Sequence, residues 1–342
     1  MTQDWLLVET LGDQPVVVAH GRQMKNFVPL AVFLRRNPSL SAIQTAIAET
    51  VSTGSPLASI TPKKSRVIRT VPVQMSDGRM HGVHVWSGPP EVDPPERPVP
   101  GPLKWDLTLG VATDTAESLI NMGMNPDAEP LENRALVDDY PARDFNPDET
   151  AALAMRVDFA PGNLFCSTWE FTDKQGDNRR VGFAARSAAE PVDEDGTEHV
   201  IARIMNLEVE VRPAVPESNP LIQRILDRLE QPGEYRLIVD LENWRPLKWI
   251  DQPCPLVDWR GSERIHPNDH ERLRQAIPAE PQAESGGTVV RLPGSDGGWV
   301  PLHATISRME LEKGVHAGLT ILRLPTDEEL AEAALDSAPD NN

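Results

Sequence analysis

Hydrophobic and polar positions alternate over much of this chain, at the two-residue period of strands that bury one face. Val67, Val71, Val73 and Met75 carry odd numbers, as do Val83 and Val85 beyond an Asp77-Gly78 step. This predicts a hairpin that sets Val73 opposite Val83 and Val71 opposite Val85, with Asp77-Gly78-Arg79 as a three-residue loop in which glycine supplies the positive φ. A second hairpin sets Phe165, Trp169 and Phe171 on the face of Val181, Phe183 and Ala185. A third joins Val290 and Leu292 to Val300, Leu302, Ala304 and Ile306, and a last strand follows over 316–324. The helical period shows most plainly at Leu221, Ile222, Ile225, Leu226 and Leu229, a run that Pro232-Gly233 closes.

The pattern repeats on a larger scale. Asn37-Pro38, Asn146-Pro147 and His266-Pro267 each open a helix-compatible segment, and each is followed by a hairpin signal: Asp77-Gly78, Gly176-Asp177 and Asp296-Gly297. Proline suits the first helical position because its φ is already helical and its missing N–H is not needed there. Pro102-Leu103-Lys104-Trp105-Asp106 recurs as Pro246-Leu247-Lys248-Trp249-Ile250-Asp251, which predicts equivalent strand positions for Trp105 and Trp249. The expected class is α+β: three tandem domains, each an antiparallel sheet with helices packed on one face.

Proline marks the joints. Residues 88–102 hold seven prolines in fifteen, a stiff extended spacer, and 211–220 hold a second proline-rich joint. The predicted division is a domain at 1–90, a linker at 91–101, a domain at 102–212, a linker helix at 213–232, a domain at 233–325 and an acidic tail at 326–342. The acidic stretch 190–199 reads as a solvated loop.

Composition narrows the function. Among 342 residues, 33 prolines argue against an all-helical bundle, and a formal charge of −19 disfavours nucleic acid and anionic membrane surfaces as partners. Two cysteines make no disulfide framework, and neither a signal peptide nor a membrane-length apolar run is visible, so a cytoplasmic location is expected. Nucleophile elbows, phosphate loops and paired Cys-x-x-Cys motifs are absent. No catalytic residue, cofactor or metal is therefore assigned.

A helical region opened by His266-Pro267-Asn268-Asp269, then a meander with Ser295-Asp296-Gly297 at its hairpin, resembles the PAS sensor fold. The run Asp4-Trp5-Leu6-Leu7-Val8-Glu9-Thr10-Leu11-Gly12 and the segment 101–115 (GPLKWDLTLGVATDT) resemble a mycobacterial family of stand-alone triple sensor-domain proteins arranged PAS–GAF–PAS, a likeness reaching to about residue 325. The resemblance implies a GAF-like or PAS-like middle domain and a sensory role. No output segment follows the third domain, so a signal would pass to a partner protein, with the 221–229 helix as coupling element. A homodimer is compatible with this plan.

Sensor folds hold ligands between sheet and helices. On that plan His81, sharing the odd face of Val83 and Val85, points to the helices and could meet a ligand or haem iron; the plainer reading is a buried imidazole bonded to backbone. His84 falls on the opposite face, which weakens a His81–His84 metal pair. Trp105 and Trp249 are either pocket walls or core anchors. His266 and His270 have the i, i+4 spacing of a metal pair, yet helix capping explains the motif and further ligands are not evident. Cys166 and Cys254 have no neighbour that would activate a thiol. The expected function is a non-enzymatic sensory protein that binds a small molecule or a protein. The alternatives are a ligand-free scaffold with self-filled pockets and a small hydrolase or isomerase.

Overall fold

The structure, a computed structural model, describes residues 4–61, 65–140, 145–146, 148–192, 196–210, 220–261 and 264–333. The joint expected at 211–220 lies outside the described residues apart from Pro220, as do the tail beyond 333 and the centre of the 190–199 stretch. Three antiparallel sheets carry the chain, as the alternation predicts.

The first sheet comprises β1 (Leu6–Glu9), β2 (Val16–His20), β3 (Gln23–Pro29), β4 (Leu57–Ile60), β5 (Val67–Gln74) and β6 (Met80–Gly88), in the order β3-β2-β1-β6-β5-β4. Helices α1 (Leu30–Phe33) and α2 (Leu40–Thr53) lie between β3 and β4 in sequence. On the helix side, Ile43, Ala46 and Ile47 of α2 pack on Leu6, Val8, Ile68, Val83 and Val85. The register differs from expectation. Val73 pairs with Gly82, Pro72 with Val83 and Thr70 with Val85, while Gln74 already pairs with Met80. His81 is thus the extra residue of a β-bulge, and the loop at the tip moves to 76–78, between Met75 and Arg79. The one-residue slip reverses the faces of β5. Ile68 joins the helix-side core, and Val73 joins Leu7, Val16 and Val18 on the back of the sheet.

That back face is not open. Ala184, Met205 and Leu207 cover it, all from the middle sheet. The middle sheet comprises β7 (Gly101–Asp106), β8 (Val111–Thr113), β9 (Arg134–Ala135), β10 (Leu164–Thr172), β11 (Asn178–Pro191) and β12 (Glu198–Glu208), in the order β10-β11-β12-β7-β8-β9. Phe165 faces Ala185 and Trp169 faces Val181, as predicted. Helix α3 (Ala116–Asn121), opened by a Thr115–Ser118 capping box, lies so close to β7 that a Cβ on Gly101 would sit 2.3 Å from the Ser118 backbone nitrogen.

The helix expected after Asn146 forms as α4 (Glu149–Val157), but it does not join α3. It packs on the third sheet, against strands near its C-terminal end. The chain accordingly falls into two compact units: Met1–Arg134 with Ala160–Val215, and Ala135–Phe159 with Pro216–Asn342. Almost the whole circumference of α4 is buried, from Ala152 through Arg156, so its pattern could not say which sheet it would meet.

The second unit begins its sheet after α5 (Pro220–Leu229). Strands β13 (Tyr235–Val239), β14 (Pro246–Trp249), β15 (Gly286–Pro293), β16 (Trp299–Glu312) and β17 (Val315–Arg323) lie in the order β14-β13-β17-β16-β15, with α6 (His270–Ala276) between β14 and β15 and α7 (Asp327–Ala333) at the end. Here the predicted residues share a face: Val290 pairs with Leu302 and Leu292 with Val300. The repeated Pro-Leu-Lys-Trp segments are not equivalent, however. β7 is internal, between β12 and β8, whereas β14 is an edge strand beside β13. Four residues specify which side chains share a face, not where a strand sits in its sheet. No helix among the described residues is long and apolar enough to cross a membrane.

Candidate functional site

Two places gather buried polar groups, and they are built differently. The first surrounds His81. The bulge brings its Nδ1 to 3.0 Å from the Ile204 carbonyl oxygen and its Nε2 to 3.2 Å from Nη1 of Arg203. A carbonyl only accepts and a guanidinium only donates, so the ring is neutral with its proton on Nδ1. Burial drives its pKa down to about 4, and the Arg203 charge adds to the fall against the pull of Asp77 and Glu190. Arg203 in turn donates from Nε to Oε1 of Glu190 (2.7 Å) and from Nη2 to Oε2 (2.6 Å), and its Nη1 lies 2.9 Å from Asp77. Arg79 and Lys104 add longer contacts to Glu190 and Asp77.

Every ring and carboxylate position in this group is engaged. His81 is therefore the backbone-bonded imidazole, turned to β12 of the middle sheet rather than to the helices. Glu190, expected in a solvated loop, belongs to β11 and is buried against Arg203. A parallel tie joins Arg186 to Glu9 through two bonds of 2.7 and 3.1 Å. Arg203 with Asp77 and His81, Arg79 with Glu190, and Arg186 with Glu9 lock the first and middle sheets together; no sequence pattern announced them, because these partners are more than a hundred residues apart.

His84 is a different case. Fully buried and 5.2 Å from the Trp5 ring, it has no partner for either nitrogen among the described residues. Burial, with help from the Arg97 charge, pushes its pKa to about 3.

The second place is the third domain. Between the sheet and α6 lies a cavity with about 560 Å³ of atom-free space, part of it open to solvent. Its wall includes Trp244, Trp249 and Trp259, with Leu237, Leu273 and Leu322, and two charged groups, Asp258 and Arg264. Three of the chain's eight tryptophans fall within sixteen residues here, a clustering visible in the sequence. Trp249 and Trp259 meet edge to face at 5.6 Å, and Arg260 stacks on Trp259 at 4.5 Å. Trp244 holds φ at +57°, an uncommon conformation for a bulky residue, and such strain persists where the surroundings enforce it.

Two polar atoms of the residues lining this cavity are unsatisfied. Nε1 of Trp249 and Oγ1 of Thr320 are both buried without a partner among the described residues, although each residue is only 3% exposed. Both lie in one row across the sheet, because Leu237 pairs with Trp249 on one side and with Thr320 on the other. Each such group costs roughly 1–3 kcal/mol when left unpaired.

Trp249 thus lines a cavity, as one of its two readings had it. Trp105 is buried in the middle sheet and lines none of the cavities described here. His266 caps the turn Pro267–Asp269, its Nδ1 accepting from the Asn268 N–H at 3.2 Å. Asp269 is held by Arg291 of β15 through Nε and Nη2 at 2.9 and 2.7 Å, so the His-Pro-x-Asp motif fastens α6 to the sheet. Burial raises the Cys254 pKa, and Cys166 Sγ meets the Lys25 carbonyl. Thr320 and Arg264 were not legible as site residues, since one sits in an ordinary strand and the other in a loop.

On the far side of β14, where alternation puts Lys248, the strand is held by α4. Lys248 Nζ lies 2.5 Å from Oε1 of Glu149, both buried. Arg156 Nη1 donates to the Leu247 carbonyl at 2.6 Å and Nη2 to that of Pro246 at 3.2 Å. One edge strand therefore presents Trp249 to the cavity and is bonded to α4 on its other side.

A second cavity lies on the helix side of the first sheet. It is roomier, with about 800 Å³ of atom-free space, part of it open to solvent, and more polar, with Asp4, His20, Arg36 and Arg66 in its wall.

Family models for Rv3651-like proteins match three successive segments: the N-terminal model 4–96, the middle model 99–209 and the C-terminal model 219–333. Among solved structures, an uncharacterised protein from Mycobacterium tuberculosis is 55% identical, covers 98% of this chain and 100% of its own, and superposes with a TM-score of 0.88. A sensory box histidine kinase/response regulator from Burkholderia thailandensis matches 38% of the chain and 84% of its own at 15% identity, with a TM-score of 0.22. The periplasmic sensory domain of the Campylobacter jejuni chemoreceptor Tlp1 matches 51% and 53% at 12% identity, again at 0.22. Scores that low carry no conclusion. A search of curated proteins found no match.

Proposed function

For this chain, which belongs to the Rv3651-like family, we propose a sensory role: the third domain binds a small, largely apolar molecule, and the chain relays its occupancy by protein contact without chemistry. The observation that carries this reading is the tryptophan-lined cavity with two buried, unpartnered polar atoms. Apolar pockets with a few convergent polar groups are where proteins hold small molecules. A close-packed core fills such space with its own side chains.

The relay is built into β14. A ligand that shifts Trp249 shifts an edge strand whose other side is bonded to Glu149 and Arg156 of α4. In chain order α4 lies between α3 and β10. A cytoplasmic site of action and a downstream protein partner belong to the same proposal.

Native mass spectrometry of the chain, purified from its own host without denaturation, tests it. The expected result is a bound small molecule that is lost in the Ala304→Leu variant, which narrows the cavity. Protein that carries no adduct and shows no melting shift with any member of a fragment library would instead support a ligand-free scaffold.

A further inference from the structure

Resting on the third-domain cavity as a ligand site, we propose that its ligand is a small, flat aromatic monocarboxylate, with its ring among Trp244, Trp249 and Trp259 and its carboxylate on Arg264.

The walls set the shape. Indole faces favour flat π partners in offset or edge-on contact, and Trp249 and Trp259, at 69° to each other, form a corner that a ring can enter. The unpartnered atoms set the polarity. An indole N–H donates and never accepts, so a group that satisfies Trp249 must present a lone pair. Thr320 flanks the same Leu237 row, about 10 Å from Trp249 across two strand spacings, and its hydroxyl can donate as well.

Arg264 sets the charge. Its guanidinium donates to the Trp259 carbonyl, and no carboxylate among the described residues lies within ion-pair distance of it. Burial and the neighbouring Arg245 and Arg156 all disfavour its charge, with Asp258 the opposing influence. One oxygen of Asp258 is already engaged by the Arg260 N–H at 3.0 Å. A guanidinium fork matches a carboxylate in two parallel bonds, and this cation has room for one. Asp258 in the same wall limits the charge: a second negative group would meet its carboxylate, which selects a monoanion over a dianion such as a phosphate monoester.

The test uses benzoate and benzamide, which share a shape and differ in charge, titrated against the full chain by ligand-detected NMR. Wild type should bind benzoate about tenfold more tightly than benzamide. Arg264→Gln should abolish that preference and leave benzamide unchanged. Raising salt from about 20 to 300 mM should weaken benzoate alone, a check that needs no variant. Trp249→Phe should weaken both probes, since both place a ring against its indole. Equal binding of the two probes to wild type, or a preference that survives Arg264→Gln, overturns the acid and leaves the cavity a ligand site. If neither probe binds at millimolar concentration while the chain is folded, both this inference and the cavity reading fall.

Discussion

The polar cluster around Arg203 and the cavity around Trp249 both bury groups that want partners, and only one provides them. Around Arg203, the guanidinium, two carboxylates and an imidazole use one another's donors and acceptors at 2.6–3.2 Å. Around Trp249, an indole N–H and a hydroxyl have none among the described residues. Burial alone therefore does not distinguish structure from function. A satisfied polar group holds two sheets in register, whereas an unsatisfied one, at Trp249 as at His84, is a cost the fold carries.

The largest test of this contrast is Arg203→Met. It would strand Glu190 and Asp77, both partly or wholly shielded, and should cost about 3–5 kcal/mol in urea unfolding of the full chain. Trp249→Phe removes a donor that nothing uses and should cost less than about 1 kcal/mol by the same measurement. Similar losses in the two variants would erase the distinction.

The next effect is on pH. Both His81 and His84 have folded-state pKa values far below the ordinary value of about 6.5, one near 4 and the other near 3. Above pH 6.5 neither folded nor unfolded chain protonates them, and their contribution is intact. As pH falls from 6.5 towards 4, the unfolded chain takes up protons that the folded chain refuses, so stability declines. Replacing His84 by Phe keeps a ring beside Trp5 and removes one titration. Its urea midpoint should fall less than that of wild type between pH 7 and 4.5, and parallel declines would show that His84 does not titrate in this way.

The smallest effect compares two threonines. Thr50 Oγ1 and Thr70 Oγ1 lie 2.5 Å apart where α2 meets β5, and Thr50 also donates to the Ala46 carbonyl. Thr70→Val should cost about 1 kcal/mol, because it leaves Thr50 with one bond fewer. Thr320→Val removes a buried hydroxyl that has no partner and should leave the ligand-free chain as stable or about 1 kcal/mol more so. A reversal of that order, read from melting curves, would mean that Thr320 has a partner after all.

How far the residues spoke for themselves can be followed element by element. The hairpins at Gly176-Asp177 and Asp296-Gly297 formed with the predicted residues on one face, since long alternating strands have one face to bury. The first hairpin slipped by a residue, because a bulge at His81 is a compromise with β12, far away in sequence. For the candidate site, Trp249 and the crowding of Trp244 and Trp259 were on view in the sequence. Thr320 and Arg264 were not, since nothing local marks a strand threonine or a loop arginine as lacking a partner.

The sequence by itself determined three antiparallel sheets, the hairpins and the helix starts, because alternation, proline φ and glycine turns are local properties of the chain. Tertiary structure alone decided that α4 leaves the middle sheet for the third, that the back of the first sheet is closed by Met205 and Leu207, and that the donors of Trp249 and Thr320 are buried without an acceptor among the described residues. An apolar face requires only that something cover it. Which surface does so, and which polar atoms are left over when it has, follows from how all the faces are shared out at once.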